Sequence, residues 1–191
     1  MIDTIFNLIN KFADERYGED VTQLEHVVQC AELARRDGAS PGLIAAALLH
    51  DIGQFIDGAG EAAETQGIDA RHEIGGAAFL ATHFPPEVTE PVRLHVAAKR
   101  YLCAVEPGYA EALSRASALS LRLQGGPMNP QEIEDFRKEP AYRDAVRLRR
   151  YDDQGKRPEW DVPGLESYRP LLESLIVHPG AAERGTTSPA G

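Results

Sequence analysis

With 191 residues and a formal net charge of −10, the chain suits one domain with a sizeable core and is too acidic for a general nucleic-acid or anionic-membrane surface. Two cysteines, Cys30 and Cys103, are too few for a disulfide framework and read as buried thiols of a reducing compartment. No apolar run approaches the roughly 20 residues of a membrane helix, and Met1-Ile2-Asp3-Thr4 lacks the basic start of a secretory signal, so a soluble cytoplasmic protein is expected.

Ile5, Phe6, Leu8, Ile9 and Phe12 recur at helical spacing and predict a short first helix. Glu15 to Asp20 is a polar, glycine-containing loop. Thr22 followed by Glu25 is a capping box, and the helix it opens runs to about Asp37 and stops at Gly38. Within it His26, Cys30, Leu33 and Ala34 share a face, so His26 points inward. Ser40-Pro41 starts the next helix, with proline at its first position. Ala45 to Leu49 are apolar all round, which predicts a central, buried helix. His50 and Asp51 stand at its end.

Gln54 to Gly67, rich in Gly, Ala and Glu, reads as a mobile surface loop. Asp69 can cap a helix that carries His72 in its first turn, Gly75-Gly76 suggests a close helix contact, and His83 to Pro86 ends it. Thr89 reads as the cap of a helix in which His95 and Lys99, four apart, share a face. Glu106-Pro107-Gly108 is a break, and Ser114 to Leu123 is again helical. Asn129-Pro130 with Glu132 restarts the chain. A long helix from Ala141 carries Arg149, Asp152 and Asp153. Leu165 to Val177 reads as a last helix interrupted near Pro170. The segment 178–191 is small, polar and proline-containing, and disorder is expected there. The class is all-α, one domain over 1–177.

His26, the His50-Asp51 pair, His72, His95 and Asp152 all fall at helix ends or on inward faces. Imidazole nitrogen and carboxylate oxygen are ligands for Fe, Mn, Zn and similar divalent ions. Asp51 has two oxygens and is placed to bridge two of them. A single histidine on an apolar face is more often a satisfied core residue, and His83 and His178 read that way.

Six segments in order resemble one family: Tyr-Gly-Glu-Asp-Val-Thr-Gln-Leu-Glu-His (17–26), Leu-Leu-His-Asp-Ile-Gly (48–53), Arg-His-Glu-Ile-Gly-Gly (71–76), residues 92–102 around His95 and Lys99, residues 113–128 ending Gln-Gly-Gly-Pro-Met, and Leu-Arg-Arg-Tyr-Asp-Asp-Gln-Gly-Lys (148–156). The chain resembles the HD-domain superfamily, and within it the mixed-valent di-iron oxygenases that cleave 1-hydroxyphosphonates. The resemblance implies an HD-domain helical bundle. It implies two irons in a mixed-valent Fe(II)/Fe(III) state, with O2 as co-substrate. One iron takes His26, His50, Asp51 and Asp152; the other takes Asp51, His72 and His95. Lys99 and Arg149 are implied to bind the phosphonate, with Ser117 and Ser120 adding hydroxyl donors. A dianion needs such cations beside the metals. Asp51 and Lys99 are the residues closest to the chemistry in this reading.

Three positions depart from the family pattern. Arg16 stands where Tyr-x-Gly-Glu has its tyrosine, with Tyr17 and Glu19 beside it. Gln54 stands where a histidine often follows His-Asp-Ile-Gly, so one phosphonate donor is altered and Gln54 is expected at the substrate in its place, and Tyr151 replaces a tryptophan. Glu19 and Tyr17 could face a cationic substrate end, since a quaternary ammonium favours carboxylates and aromatic faces. The expected substrate is therefore 1-hydroxy-2-(trimethylammonio)ethylphosphonate, giving glycine betaine and phosphate, or its 2-amino counterpart, giving glycine. The rival is an HD phosphohydrolase acting on a phosphate ester or nucleotide.

Overall fold

The computed structural model describes residues 1–16, 20–57 and 71–177, and every regular element among them is helical. Helix α1 is Ile2–Lys11, α2 Gln23–Arg36, α3 Pro41–Leu49, α4 Ile52–Asp57 and α5 His72–Ala81. Then follow α6 Pro86–Val105, α7 Arg115–Leu123, α8 Pro130–Lys138 and α9 Tyr142–Gln154. A 3-10 turn, Leu165–Tyr168, leads into α10, Arg169–Ser174. Tyr17, Glu19, Asp69 and the tail from 178 lie outside the described residues.

Helix α3 is the hub, packing against α2, α6 and α9. Its sequence requires this: Leu43 and Ala45 to Leu49 are all buried, and no polar face is left to turn to water. Each fully buried leucine contributes roughly 1.5–3 kcal/mol of transfer free energy. Helix α6 packs on α5, α3 and α9, and α2 on α3 and α9. The helices that carry the candidate ligands therefore converge on the C-terminal end of α3. A smaller apolar cluster, including Leu94, Ala98, Met128 and Phe136, holds α8 against α6. No helix among the described residues is long and apolar enough to cross a membrane.

The start of α2 forms as its sequence dictates. Thr22 Oγ1 accepts the Glu25 amide at 3.2 Å, and Glu25 Oε2 accepts the Thr22 amide at 2.7 Å. Thr22→Ala removes half of this reciprocal cap and is expected to cost about 1 kcal/mol, which lowers Tm by roughly 2–4 °C in a chain of this size. A thermal melt identical to the parent's would show that the cap contributes nothing.

Four local expectations need correction. The stretch from Gln54 does not leave the core as a loop, because α4 continues to Asp57. Ile52 and Phe55, three apart, are buried there, and Phe55 stacks on Phe12 with ring centroids 5.5 Å apart. Helix α6 begins at Pro86 rather than after Thr89. Proline's fixed φ suits a first helical position, where no amide donor is needed, and Thr89 ends up buried inside the helix. Helix α5 begins at His72 itself, behind Arg71 in a left-handed conformation with φ 47°. Of the two cysteines only Cys30 is buried; Cys103 is partly exposed, one turn beyond Lys99.

Candidate metal centre and anion site

Six side chains from five places in the fold meet at the end of α3. His26 comes from the first turn of α2, and His50 and Asp51 from the α3–α4 corner. His72 opens α5, His95 lies in the middle of α6, and Asp152 near the end of α9. All six are buried.

The backbone fixes three of the imidazoles. His26 Nδ1–H donates to the Gly155 carbonyl at 2.9 Å, His50 Nδ1–H to Ala47 at 3.0 Å and His95 Nδ1–H to Val92 at 2.7 Å. A carbonyl only accepts, so each ring carries its proton on Nδ1 and turns an Nε2 lone pair inward. His26 Nε2 then faces His50 Nε2 at 3.3 Å, and His72 Nε2 faces His95 Nε2 at 3.2 Å. Lone pairs aimed at each other repel unless a cation lies between them. Burial, followed by the neighbouring His72 and His50, pushes the His95 pKa down to about 3, so this ring is neutral and ready to ligate.

The carboxylates divide between the two pairs. Asp51 Oδ2 is 3.7 Å from His26 Nε2 and 3.5 Å from His50 Nε2, while Oδ1 is 3.4 Å from His72 Nε2. One oxygen thus serves each pair, as a bridge requires. Asp152 lies beside the first pair only, 3.5 Å from His26 Nε2 and 3.9 Å from His50 Nε2. Burial alone would raise the Asp51 pKa, but the facing His50 and His72 imidazoles hold it well below the usual carboxylate range. Donors sharing one ion at bonds of about 2 Å stand roughly 3 to 3.5 Å apart. The observed spacings fit a metal at each pair.

Cys30 also lies by the first pair, with Sγ 3.7 and 3.9 Å from the two His26 ring nitrogens. It donates to the Tyr151 carbonyl at 3.4 Å, and burial followed by the nearby Asp152 pushes its pKa well up. A protonated thiol beside the ring is a wall of the site, and Asp152 supplies the anionic donor there.

Two buried cations flank the centre. Lys99 stands one turn beyond His95 on α6, and Arg149 donates to Asp152 Oδ2 at 2.6 Å. One turn of α7 connects them. Lys99 Nζ donates to Ser120 Oγ at 2.7 Å, and Arg149 Nη2 donates to Ser117 Oγ at 3.3 Å. The two serines differ in what remains. Ser120 gives its own proton to the Ser117 carbonyl at 3.2 Å, so it supports Lys99, whereas the Ser117 hydroxyl proton is not committed to that bond. Gln54 is likewise engaged, donating to Asp51 Oδ1 at 3.0 Å.

Sequence reasoning missed four contributors. Gly155 supplies the carbonyl that sets the His26 tautomer, and a Cβ there would lie 2.5 Å from Cys30 Sγ. Lys156 Nζ is 3.8 Å from Asp152 Oδ1. Asp153 binds Arg149 Nη2, and the i,i+4 spacing from Arg149 was a signal for it. Tyr109, on a turn far from any motif, gave none.

Comparison with known proteins points the same way. The HD domain family model matches residues 24–128, which contain four of the five candidate-ligand segments. Over 183 residues the chain is 40% identical to a 1-hydroxy-2-(trimethylamino)ethylphosphonate dioxygenase (glycine-betaine-forming) of Leisingera caerulea, covering 95% of this chain and 93% of that one. Over 178 residues it is 45% identical to a hydroxymethylphosphonate dioxygenase of Gimesia maris, covering 93% and 89%. An uncharacterized protein of Acanthamoeba polyphaga mimivirus is 34% identical over 174 residues, 90% of this chain and 80% of its own.

Proposed function

Because the chain belongs to the HD domain family, and aligns nearly end to end with phosphonate dioxygenases in it, we propose that it cleaves the C–P bond of a 1-hydroxyalkylphosphonate with O2. The observation that carries this reading is the division of Asp51's two oxygens between two imidazole pairs, with Lys99 and Arg149 buried beside them. The carbon skeleton leaves as a carboxylic acid and phosphorus as phosphate. The atoms balance, with one oxygen of O2 added to each product. The four electrons O2 takes come from the C1–H and C–P bonds, so no outside reductant is consumed.

His26, His50, Asp51 and Asp152 would hold one iron and Asp51, His72 and His95 the other, as a mixed-valent pair. Bound there, the irons would supply Lewis acidity toward the substrate's oxygens and the electrons that activate O2. The protein's own groups do the rest. Lys99 and Arg149 neutralise the phosphonate dianion, and the Ser117 hydroxyl donates to one of its oxygens. Burial strengthens each of these interactions and keeps water from the reacting carbon. Gln54 withdraws charge from the bridging oxygen rather than reaching for the phosphonate. Free thiols at Cys30 and Cys103 suit the reducing cytoplasm in which we place the enzyme.

The two named relatives differ at the far end of the substrate, one acting on a quaternary ammonium compound and the other on a one-carbon phosphonate. Glu19 and Tyr17 carry the case for the cationic substrate, through charge and an aromatic face. Iron-loaded protein given trimethylammonio-, amino- and unsubstituted hydroxyphosphonates in air is expected to release one phosphate per O2 consumed. The trimethylammonio compound should have the highest kcat/KM. Phosphate release that continues without O2 would instead establish hydrolysis.

A further inference from the structure

Arg149 commits most of its donors inside the protein. It is 3% exposed. Its Nε–H donates to the Tyr109 hydroxyl at 3.1 Å and Nη1 donates to Asp152 Oδ2 at 2.6 Å. Nη2 donates to Ser117 Oγ at 3.3 Å and to Asp153 Oδ1. A guanidinium has five N–H groups. Four are engaged among the described residues, leaving one on Nη1.

The arrangement is unlike a usual arginine clamp on a phosphoryl group, which offers two parallel N–H bonds along one edge. Here the Nε/Nη2 edge is already filled by Tyr109 and Asp153. Tyr109 is 8% exposed and sits in the turn after α6. Its hydroxyl donates to Asp153 Oδ2 at 2.5 Å while accepting from Arg149 Nε, so tyrosine, aspartate and arginine close a ring. The turn itself is tied to α9 a second time, by Arg150 donating to Glu106.

Resting on the assignment of Arg149 to the phosphonate, we propose that Tyr109 is a positioning residue that fixes the rotation of the guanidinium, so that it meets the anion through a single Nη1–H beside the Ser117 hydroxyl. Without the phenol oxygen, Nε–H is buried without an acceptor and Asp153 Oδ2 loses a donor. The bonds to Asp152, Ser117 and Asp153 remain, but Asp153, released by the phenol, can draw Nε–H toward itself, and the guanidinium turns so that the single Nη1–H no longer points where Ser117 does.

The test is Tyr109→Phe, which keeps the ring and removes only the hydroxyl. Inorganic phosphate, the expected product, is titrated calorimetrically into iron-loaded parent and variant. Phosphate binding is expected to weaken roughly tenfold, the size of one charge-assisted hydrogen bond. KM for the hydroxyphosphonate should rise by a similar factor, with kcat within about twofold and iron content unchanged, a split that general destabilisation does not give. Unchanged or tighter phosphate binding overturns the proposal, as does loss of iron, which would mean that Tyr109 acts through Asp152. Asp153→Asn decides the matter if Tyr109→Phe does not fold: weakened phosphate binding supports the ring, and parental affinity overturns it. If phosphate binding weakens in the variant while neither protein turns over any hydroxyphosphonate, the positioning role stands and the oxygenase reading falls.

Discussion

Loaded with iron, His72→Ala and His95→Ala proteins are expected to hold one metal ion fewer per chain than the parent, and to lose activity by more than about 100-fold. The count follows from how the donors divide. Asp51 Oδ1, His72 and His95 form one group, and Asp51 Oδ2, His26, His50 and Asp152 form the other. Removing an imidazole from the first group leaves one histidine and half of a carboxylate, too few donors to retain an ion. The second group keeps two histidines and two carboxylates. Loss of an outer-shell partner typically costs 10–100-fold, so loss of a direct ligand should exceed that range. Metal analysis on anaerobically purified protein checks the first statement, and O2-coupled phosphate release the second. A full complement of metal in either variant would show that the division is drawn wrongly. His72→Ala is the cleaner of the two, because His72 opens α5, whereas His95 is fully enclosed within α6 and its truncation also leaves a cavity.

Much of this candidate site was legible in the sequence because candidate ligands are constrained by chemistry that spacing reveals. His26 in a capped helix, His50-Asp51 at the end of an apolar run, and Arg149 three residues before Asp152 can each be placed on a face without knowing the fold. What spacing could not give is which atom of each group points where. The inward Nε2 of His26 depends on the carbonyl of Gly155, which comes from the other end of the chain. The different roles of Ser117 and Ser120 depend on a single proton. The Gln54 amide, expected near the phosphonate, turns to Asp51 because α4 continues past the corner where a loop was expected. Tyr109 was invisible for a plainer reason. It lies in a turn, where no periodicity links it to Arg149, forty residues later in the chain. The all-α class was the easier inference, since α3 has no polar face and such a helix must be surrounded.

The residue that ties fold to site most tightly carries no side chain. Gly53 lies where α4 meets α5, and a Cβ there would sit 2.0 Å from the His72 carbonyl oxygen, 2.8 Å from its carbonyl carbon and 2.9 Å from the Gly76 amide nitrogen. These are backbone atoms and no rotamer change can relieve the clash, so Gly53→Ala must push the two helices apart. Overpacking of this kind costs about 1–3 kcal/mol, which lowers Tm by roughly 2–12 °C in a chain of this size. The shift is also aimed at the site, because the displaced carbonyl belongs to a candidate ligand. Moving it draws His72 Nε2 away from Asp51 Oδ1, now at 3.4 Å, and from His95 Nε2, now at 3.2 Å. Gly53→Ala should therefore fold, melt earlier, and lose metal from the His72–His95 pair before the His26–His50 pair. Gly76→Ala is the control on the other side of the same contact. Its nearest neighbours, the Gly53 amide nitrogen at 3.0 Å and the Ile52 Cγ2 methyl at 3.1 Å, stand a full ångström farther off than the carbonyl oxygen that meets Gly53, so its effect should be smaller in both Tm and metal content. A Gly53→Ala protein with parental Tm and full metal would mean that the α4–α5 contact is soft, and that His72 is held in place by something other than the close approach of these two helices.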